Sequence, residues 1–332
     1  MKVERAVLGI GLGLVSVVGA GCQKPYHEQN EKYVLVTANV NLPYWQEAIA
    51  GLTDVGKNEG VKVDVEGPAT FSPQEELTAF QQAVAQNPSG ILVSVTDPKL
   101  FKEPIDHALL QGIPVICIDA DAPDSNRVMF IGTDNFRAGQ DSGKRMATLL
   151  GGQGRVVIVS LAGQSNSEER VRGVNESLKK YPGIQVAQTI DGKGDSRVTF
   201  DAISALLQKK EKVDGIICLD ATGGAGAADA LHQLDMTGKV KVVAFDKDPQ
   251  TLEAIDRKWI TATVVQKPYV MAFYGVRFLD DLHHNVVHEF KDWRTAPTAP
   301  LPTFVDTGTA VVDATNLAAF QKALAEHPKP VI

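Results

Sequence analysis

Cysteine is scarce in this 332-residue chain: Cys22, Cys117 and Cys218 are all there is. The last two sit inside Val/Ile-rich runs, Pro114–Ile118 and Gly215–Leu219, where a thiol serves as a small buried hydrophobe. Neither disulfide staples nor a thiolate metal site is therefore expected, and stability must come from packing. Positive charge is also short: 33 Lys and Arg face 40 Asp and Glu, with no basic run. That balance excludes a nucleic-acid partner. Catalytic signatures are missing too. No Gly-x-Ser-x-Gly elbow appears. Gly223-Gly224-Ala225-Gly226 follows an apolar run, but Asp229 stands where a dinucleotide loop needs its last glycine. His284 and His288 have i,i+4 spacing without the glutamate of a zincin, and read as a solvated helix face with no metal. Asp119 and Asp121 lie on one turn, so they cannot flank a scissile glycosidic bond. The same run, Asp119–Ala122, lacks the spacing of a calcium loop. The expectation is a protein that is not an enzyme and uses no cofactor.

Long apolar runs are lacking except one. From Ala6 to Ala20 the chain is apolar, preceded by Met1, Lys2 and Arg5 and closed by Gly19-Ala20-Gly21-Cys22. The run is too short for a stable membrane span and ends in small residues, which is the build of a secretory signal. Five glycines between Gly9 and Gly21 make it poor material for a packed helix. With Cys22 at its end it resembles a bacterial lipoprotein signal, although Gly19 stands where leucine is usual. The resemblance implies that Cys22 becomes the lipidated first residue. Without residues 1–21 the charge is 31 basic against 39 acidic groups, a net −8.

After Lys32 the pattern alternates. Continuous apolar runs recur at Tyr33–Ala38, Val61–Val65, Ile91–Val95 and Pro114–Ile118, and again at Val156–Leu161, Ile184–Ala187, Ile216–Leu219 and Val240–Phe245. Runs without polar alternation are strands buried on both faces. Amphipathic helical segments lie between them. Ser72-Pro73 with Glu75, and Asp248-Pro249, place a cap ahead of a proline at the first helical position. Ser165 with Glu168 fits a capping box. Such alternation means α/β domains with doubly wound parallel sheets. Four units precede Arg127 and four follow Arg155, so two Rossmann-like domains of similar plan are expected. A helix from Pro268 to Leu282, late strands at Thr303–Asp306 and Ala310–Asp313 and a terminal helix at Asn316–Glu326 complete the pattern.

Ligands gather beyond the carboxyl ends of parallel strands. Those ends carry Asn39, Asn41, Thr96-Asp97, Asp119, Asp220 and Asp246. Singly, each is as readily a helix cap or turn residue; together, in two facing domains, they point into one cleft. Carboxylates accept hydrogen bonds from vicinal hydroxyls, an arginine fork donates to hydroxyl or ring oxygens, and the C–H face of a sugar packs on an aromatic ring. Tyr44-Trp45 offers two rings at a helix start. Consecutive helical side chains diverge by about 100°, so burial of both in one core is not expected.

From Tyr33 to about Asp313 the chain resembles the ribose-type (type I) periplasmic sugar-binding proteins of ABC importers. The matching stretches are Asn41–Trp45, Ile113–Asp119, Ile131–Asn135, Glu169–Gly173, Val242–Asp246 and Thr261–Gln266. The resemblance implies that Tyr44 and Trp45 stack on the ligand ring. It implies hydrogen bonds to hydroxyls from Asp119, Arg170, Asp220, Asp246 and Gln266; Asn41, from the strand-end set, completes the candidate ligand-binding residues. It further implies a hinge of three crossings near Thr133-Asp134, Gln266-Lys267 and Phe304–Asp306. Ribose binders carry an arginine where this chain has Ala120, an aromatic near Asp195 and an amide where it has Asp220. Three carboxylates against one arginine disfavour an acidic or phosphorylated sugar. The ligand class expected is a neutral monosaccharide or polyol. The expected organisation is a signal peptide at 1–22 and a tether at 23–32, a first domain at 33–132 with 268–303, a second at 133–265 with 304–313, and a helical tail at 314–332. The expected partners are an ABC permease and a lipid anchor through Cys22, for a monomer in the periplasm or at the cell surface. A sugar-sensing receptor for a kinase or chemoreceptor, and a binder of another small solute, are the rival readings.

Overall fold

The computed structural model describes residues 26–284 and 301–326. Cys22, His288 and the stretch 285–300 lie outside the described residues. The first half runs β1 (Lys32–Val36), α1 (Pro43–Glu59), β2 (Lys62–Glu66), α2 (Pro73–Ala85), β3 (Gly90–Val93), α3 (Pro98–Leu110), β4 (Val115–Ile118) and β5 (Phe130–Gly132). The second runs α4 (Asn135–Leu149), β6 (Gln153–Ser160), α5 (Ser165–Leu178), β7 (Gly183–Asp191), α6 (Ser196–Gln208), β8 (Gly215–Cys218), α7 (Gly223–Gln233), β9 (Lys241–Phe245), α8 (Pro249–Asp256) and β10 (Ala262–Val265). The chain then returns through α9 (Pro268–His284), β11 (Phe304–Asp306), β12 (Ala310–Asp313) and α10 (Leu317–Glu326).

Two six-stranded sheets result, ordered β11-β5-β4-β3-β1-β2 and β12-β10-β9-β8-β6-β7. Every pairing is parallel except β10 with β12. Apart from the edge strand supplied by the C-terminal segment, the two orders are the same permutation. Side chains alternate across each strand, so each sheet builds two cores. Tyr33 and Leu35 face α1 and α9, while Val34 and Val36 face α2 and α3 with Phe80 and Phe101. In the second sheet Val157 and Val159 pack under α6, α7 and α8; Val156 and Ile158 pack under α4 and α5. Cys117 and Cys218 are free and fully buried in these cores.

The structure corrects several expectations. Phe304–Asp306 does not belong to the second domain: β11 pairs with β5, Phe304 opposite Phe130 and Asp306 opposite Gly132. Only β12 pairs in the second sheet. The third crossing therefore falls at Thr307-Gly308-Thr309, where Gly308 has φ 70° and the Thr307 N–H donates to the Gly132 carbonyl at 2.7 Å. The other crossings lie between β5 and α4 and between β10 and α9. The capping box at Ser165 does not form. Gln164 holds the N-cap position, and the Ser165 hydroxyl exchanges hydrogen bonds with the backbone N–H and carbonyl of Asp121, both 2.8 Å. Ser72 does cap α2, accepting from the Glu75 N–H at 3.4 Å. Asp248 precedes Pro249 but makes no side-chain cap.

Candidate functional site

Asp119 and Asp246 are the keystones. Each is the first residue beyond a central strand, β4 and β9, and each adopts a left-handed backbone, φ 62° and 67°. Aspartate tolerates that region better than most residues with a side chain. The turn ends the strand's extended course and brings each carboxylate to the space between the domains. The backbone N–H groups keep the ladder: Asp119 donates to Ile131 and Asp246 to Val264. The same local device thus delivers one carboxylate from each domain to a shared cavity.

Arg170, on α5, joins them. It is 2% exposed, and its head lies over the Phe245 ring, 4.6 Å from the centroid. Nε donates to Asn135 Oδ1 (2.9 Å), Nη1 to the Leu219 carbonyl (2.8 Å) and Nη2 to Gln266 Oε1 (2.6 Å). Three of the five guanidinium N–H groups are thus held by protein, leaving two. Gln266, directly after β10, also accepts from the Thr133 hydroxyl (2.9 Å) and donates to Asp246 Oδ1 (3.1 Å). Both hinge-crossing residues, Thr133 and Gln266, are therefore wired to the site.

Burial dominates the electrostatics. It pushes the Asp246 carboxyl up to about 8; Arg170 opposes this, while Asp248 and Asp119 add to it. Asp119 is raised for the same reason, with Arg170, the Tyr44 hydroxyl and Ser94 pulling it down. The Tyr44 hydroxyl donates to Asp119 Oδ1 at 2.6 Å. Asp220 shows a division of labour between its two oxygens. Oδ1 accepts from the Thr222 N–H, the Thr222 hydroxyl and the Gly223 N–H, while Oδ2 is buried with no hydrogen-bond partner among the described residues. A buried unpaired carboxylate oxygen costs free energy until a donor arrives.

Tyr44, Trp45, Asp119, Arg170, Asp220, Asp246 and Gln266 line one cavity of about 60 Å³ between the domains. Asn41 does not. It is exposed, its side chain donates to the Ala69 carbonyl and its N–H to Asn39 Oδ1; Asn39 lines the cavity instead. Tyr44 and Trp45 are both buried in the first core, rings edge to face at 5.1 Å, against the expectation that they would diverge. Thr96 and Asp97 also lie outside the cavity. Thr96 donates to the buried Glu76, and Asp97 caps α3. Asp119 and Asp121 part company as well, since Asp121 is ion-paired with Arg127.

Sequence reasoning missed Phe71 and Asn166. Asn166, on α5, donates to Asp119 Oδ2 across the cleft at 3.2 Å. Phe71, from the first domain, packs against Gly194 of the second: a Cβ there would meet its side chain at 3.1 Å. That places an aromatic ring beside the position where the sequence lacks one near Asp195. The Lys247 ammonium donates to Glu47 at 2.7 Å. The two domains therefore close on each other around the cavity. A larger open groove of about 740 Å³ runs alongside, past Thr96, Asp97, Asp121 and Arg127. It contains none of Asp119, Arg170, Asp220 and Asp246.

Against known proteins, the model of a periplasmic binding protein domain matches residues 33–284. The D-allose-binding periplasmic protein of Escherichia coli is 26% identical over 260 residues, 75% of this chain and 84% of that protein. An arabinose binding protein from Geobacillus stearothermophilus superposes with a TM-score of 0.74 at 34% identity, covering 88% of this chain and 99% of that one. A sugar-binding protein of a sugar ABC transporter from Bacillus halodurans gives 0.76 at 35% identity, covering 88% and 100%. Matched through both sheets and the cleft between them, the chain belongs to the periplasmic binding protein family, as a ribose-type sugar-binding protein of the kind that serves ABC transporters.

Proposed function

We propose that this protein is an extracytoplasmic, lipid-anchored receptor of an ABC importer. It closes its two domains around one neutral monosaccharide or polyol and presents the closed pair, as a monomer, to a membrane permease. The observation that carries this reading is the charge and hydrogen-bond inventory of the cavity. Three buried carboxylates with acceptor capacity face one arginine, and one oxygen of Asp220 has no donor among the described residues. Hydroxyl groups supply donors to these acceptors; a phosphate or carboxylate on the ligand would bring only further acceptors and its own negative charge into a buried site with a single arginine. Both domains contribute side chains, so a ligand that touches them all stabilises the closed form over the open one. Relatives named for arabinose and D-allose support a single sugar ring as the guest.

A thermal-shift panel tests the ligand class. Neutral pentoses, hexoses and pentitols at millimolar concentration are expected to raise the melting point, because a ligand present at 100 times its Kd stabilises by about 2.7 kcal/mol. Sugar phosphates and uronic acids should leave it unmoved. A panel in which only charged solutes act would sink the proposal.

The anchor is a separate claim, resting on the apolar run that ends at Cys22. One acyl chain binds membranes only marginally, so two or more are the physical expectation. Expressed in a bacterial host, the wild-type chain should sediment with membranes and Cys22→Ser should move to the soluble fraction. Continued sedimentation of the serine variant would remove the lipid.

A further inference from the structure

At the opposite end of β1 from the sugar cavity, four metal-binding side chains converge from two segments far apart in sequence. His27 and Glu31 precede β1; Asp280 and His284 lie on the last turns of α9. One donor atom from each lies within 4.8 Å of all the others. His27 Nε2 is 3.2 Å from Asp280 Oδ1. His284 Nε2 is 3.2 Å from Glu31 Oε2 and 3.5 Å from Asp280 Oδ1. With metal–ligand bonds of about 2.0–2.1 Å, the edge of a zinc tetrahedron is about 3.4 Å. Three contacts already match it.

From this geometry we infer a binding site for a divalent transition metal, zinc above all, that clasps the segment 26–31 to the end of α9. Charge supports it. Glu31 and Asp280 are buried, with side chains 1% and 8% exposed, and neither has a lysine or arginine partner among the described residues. Two buried carboxylates need two positive charges nearby, and one divalent cation on two neutral imidazoles supplies them. Two imidazoles with two carboxylates suit zinc; calcium and magnesium take oxygen ligands in larger number.

The surroundings hold the ligands as a metal site requires. The Tyr33 hydroxyl donates to Asp280 Oδ1 at 3.1 Å. The Glu28 N–H binds Glu31 Oε1, leaving Oε2 to face His284. The Tyr26 ring stacks on His284 at 4.3 Å. His27 Nε2 is buried yet lacks a hydrogen bond of acceptable geometry, so it has a lone pair or a proton with no good partner. The rings of His27 and His284 remain 19% and 14% exposed, which leaves a path for the ion. His284 is thus not on a solvated face, as the sequence alone suggested, and its partners are His27, Glu31 and Asp280. This inference is independent of the sugar reading.

The test uses the full chain purified without a histidine tag, stripped with chelator and titrated with zinc chloride by calorimetry. Cobalt(II) absorption serves as the geometric probe. One equivalent of Zn²⁺ per chain, a raised melting point and the intense visible bands of four-coordinate cobalt are expected. His27→Ala changes a partly exposed ring ahead of the first strand, so it leaves the domain cores intact. It should weaken zinc binding at least about tenfold, the low end of what loss of even an outer-shell partner costs. Glu31→Gln should act alike, whereas His107→Ala, remote from the cluster, should not. Absence of a stoichiometric site, or equal zinc affinity in the wild type, His27→Ala and Glu31→Gln, would overturn the proposal and leave an imidazole–carboxylate ion-pair cluster.

Discussion

Arg170→Met is expected to abolish the sugar-induced thermal shift and to lower the stability of the ligand-free protein by about 3–5 kcal/mol, the cost of leaving buried charges without their counter-ion. For a chain of this size that is a fall of about 4–8 °C in melting point. The guanidinium holds Asn135, the Leu219 carbonyl and Gln266, and it is the group that draws Asp119 and Asp246 back toward ionisation. Methionine fills much of the space over Phe245 but returns none of those bonds. The deficit should depend on pH in a definite direction. A carboxyl raised in the folded state favours folding below its unfolded pKa of about 4, and that advantage is lost as pH rises through the folded value. With Asp246 already at about 8 and Arg170 gone, both carboxyls move higher still. Urea denaturation should therefore find the variant least impaired near pH 5 and most impaired near pH 8. An unchanged urea midpoint at both pH values would show that the cation is not what balances the two aspartates.

Much of this architecture was legible because continuous Val/Ile runs admit few interpretations. All eight runs read as strands are strands, and the polar residue following each of β4, β8 and β9 lies at the cavity. Phe130–Gly132 was illegible for the same reason in reverse, being too short to make a run. Phe304–Asp306 was legible as a strand, but nothing local told which sheet it would join. The edge strand β7 spans nine residues where only Ile184–Ala187 stood out, because an edge alternates with solvent. At the site, strand-end residues could be found from the chain, whereas residues facing them across the cleft could not. Asn166 meets Asp119 and Phe71 meets Gly194 only once two domains close, and no spacing in the sequence encodes that. Tyr44 and Trp45 escaped the 100° argument because they sit at the first turn of α1, where the core of the first domain opens into the cavity. A ring there can be covered by the sheet on one side and by the opposite domain on the other. Asn41 was displaced by Asn39 for a simpler reason: its N–H binds the Asn39 side chain, and the turn that results points Asn41 outward.

Asp246→Ala is expected to separate binding from stability in a way Arg170→Met does not. Sugar affinity should fall by about 2–4 kcal/mol, since the hydroxyls that donate to Asp246 would be left without that acceptor between the two domains. That is about 30- to 1,000-fold in Kd. The ligand-free protein should remain within about 1 kcal/mol of the wild type. Removing the carboxyl leaves Gln266 Nε2 without its acceptor, but it also removes the group that Asp119 and Asp248 repel, and the two effects oppose each other. Asp246→Asn decides what the ligand requires. Its carbonyl oxygen still accepts but its second terminal atom becomes a donor, so affinity intermediate between aspartate and alanine would mean that the second oxygen contributes, by gripping a pair of hydroxyls together with the first. Affinity equal to the wild type would mean that a neutral acceptor suffices, as a carboxyl pushed to about 8 allows near pH 7. Calorimetry in which alanine too binds as tightly as aspartate would take Asp246 out of the ligand's reach, and with it the premise that the two left-handed aspartates grip one guest between them.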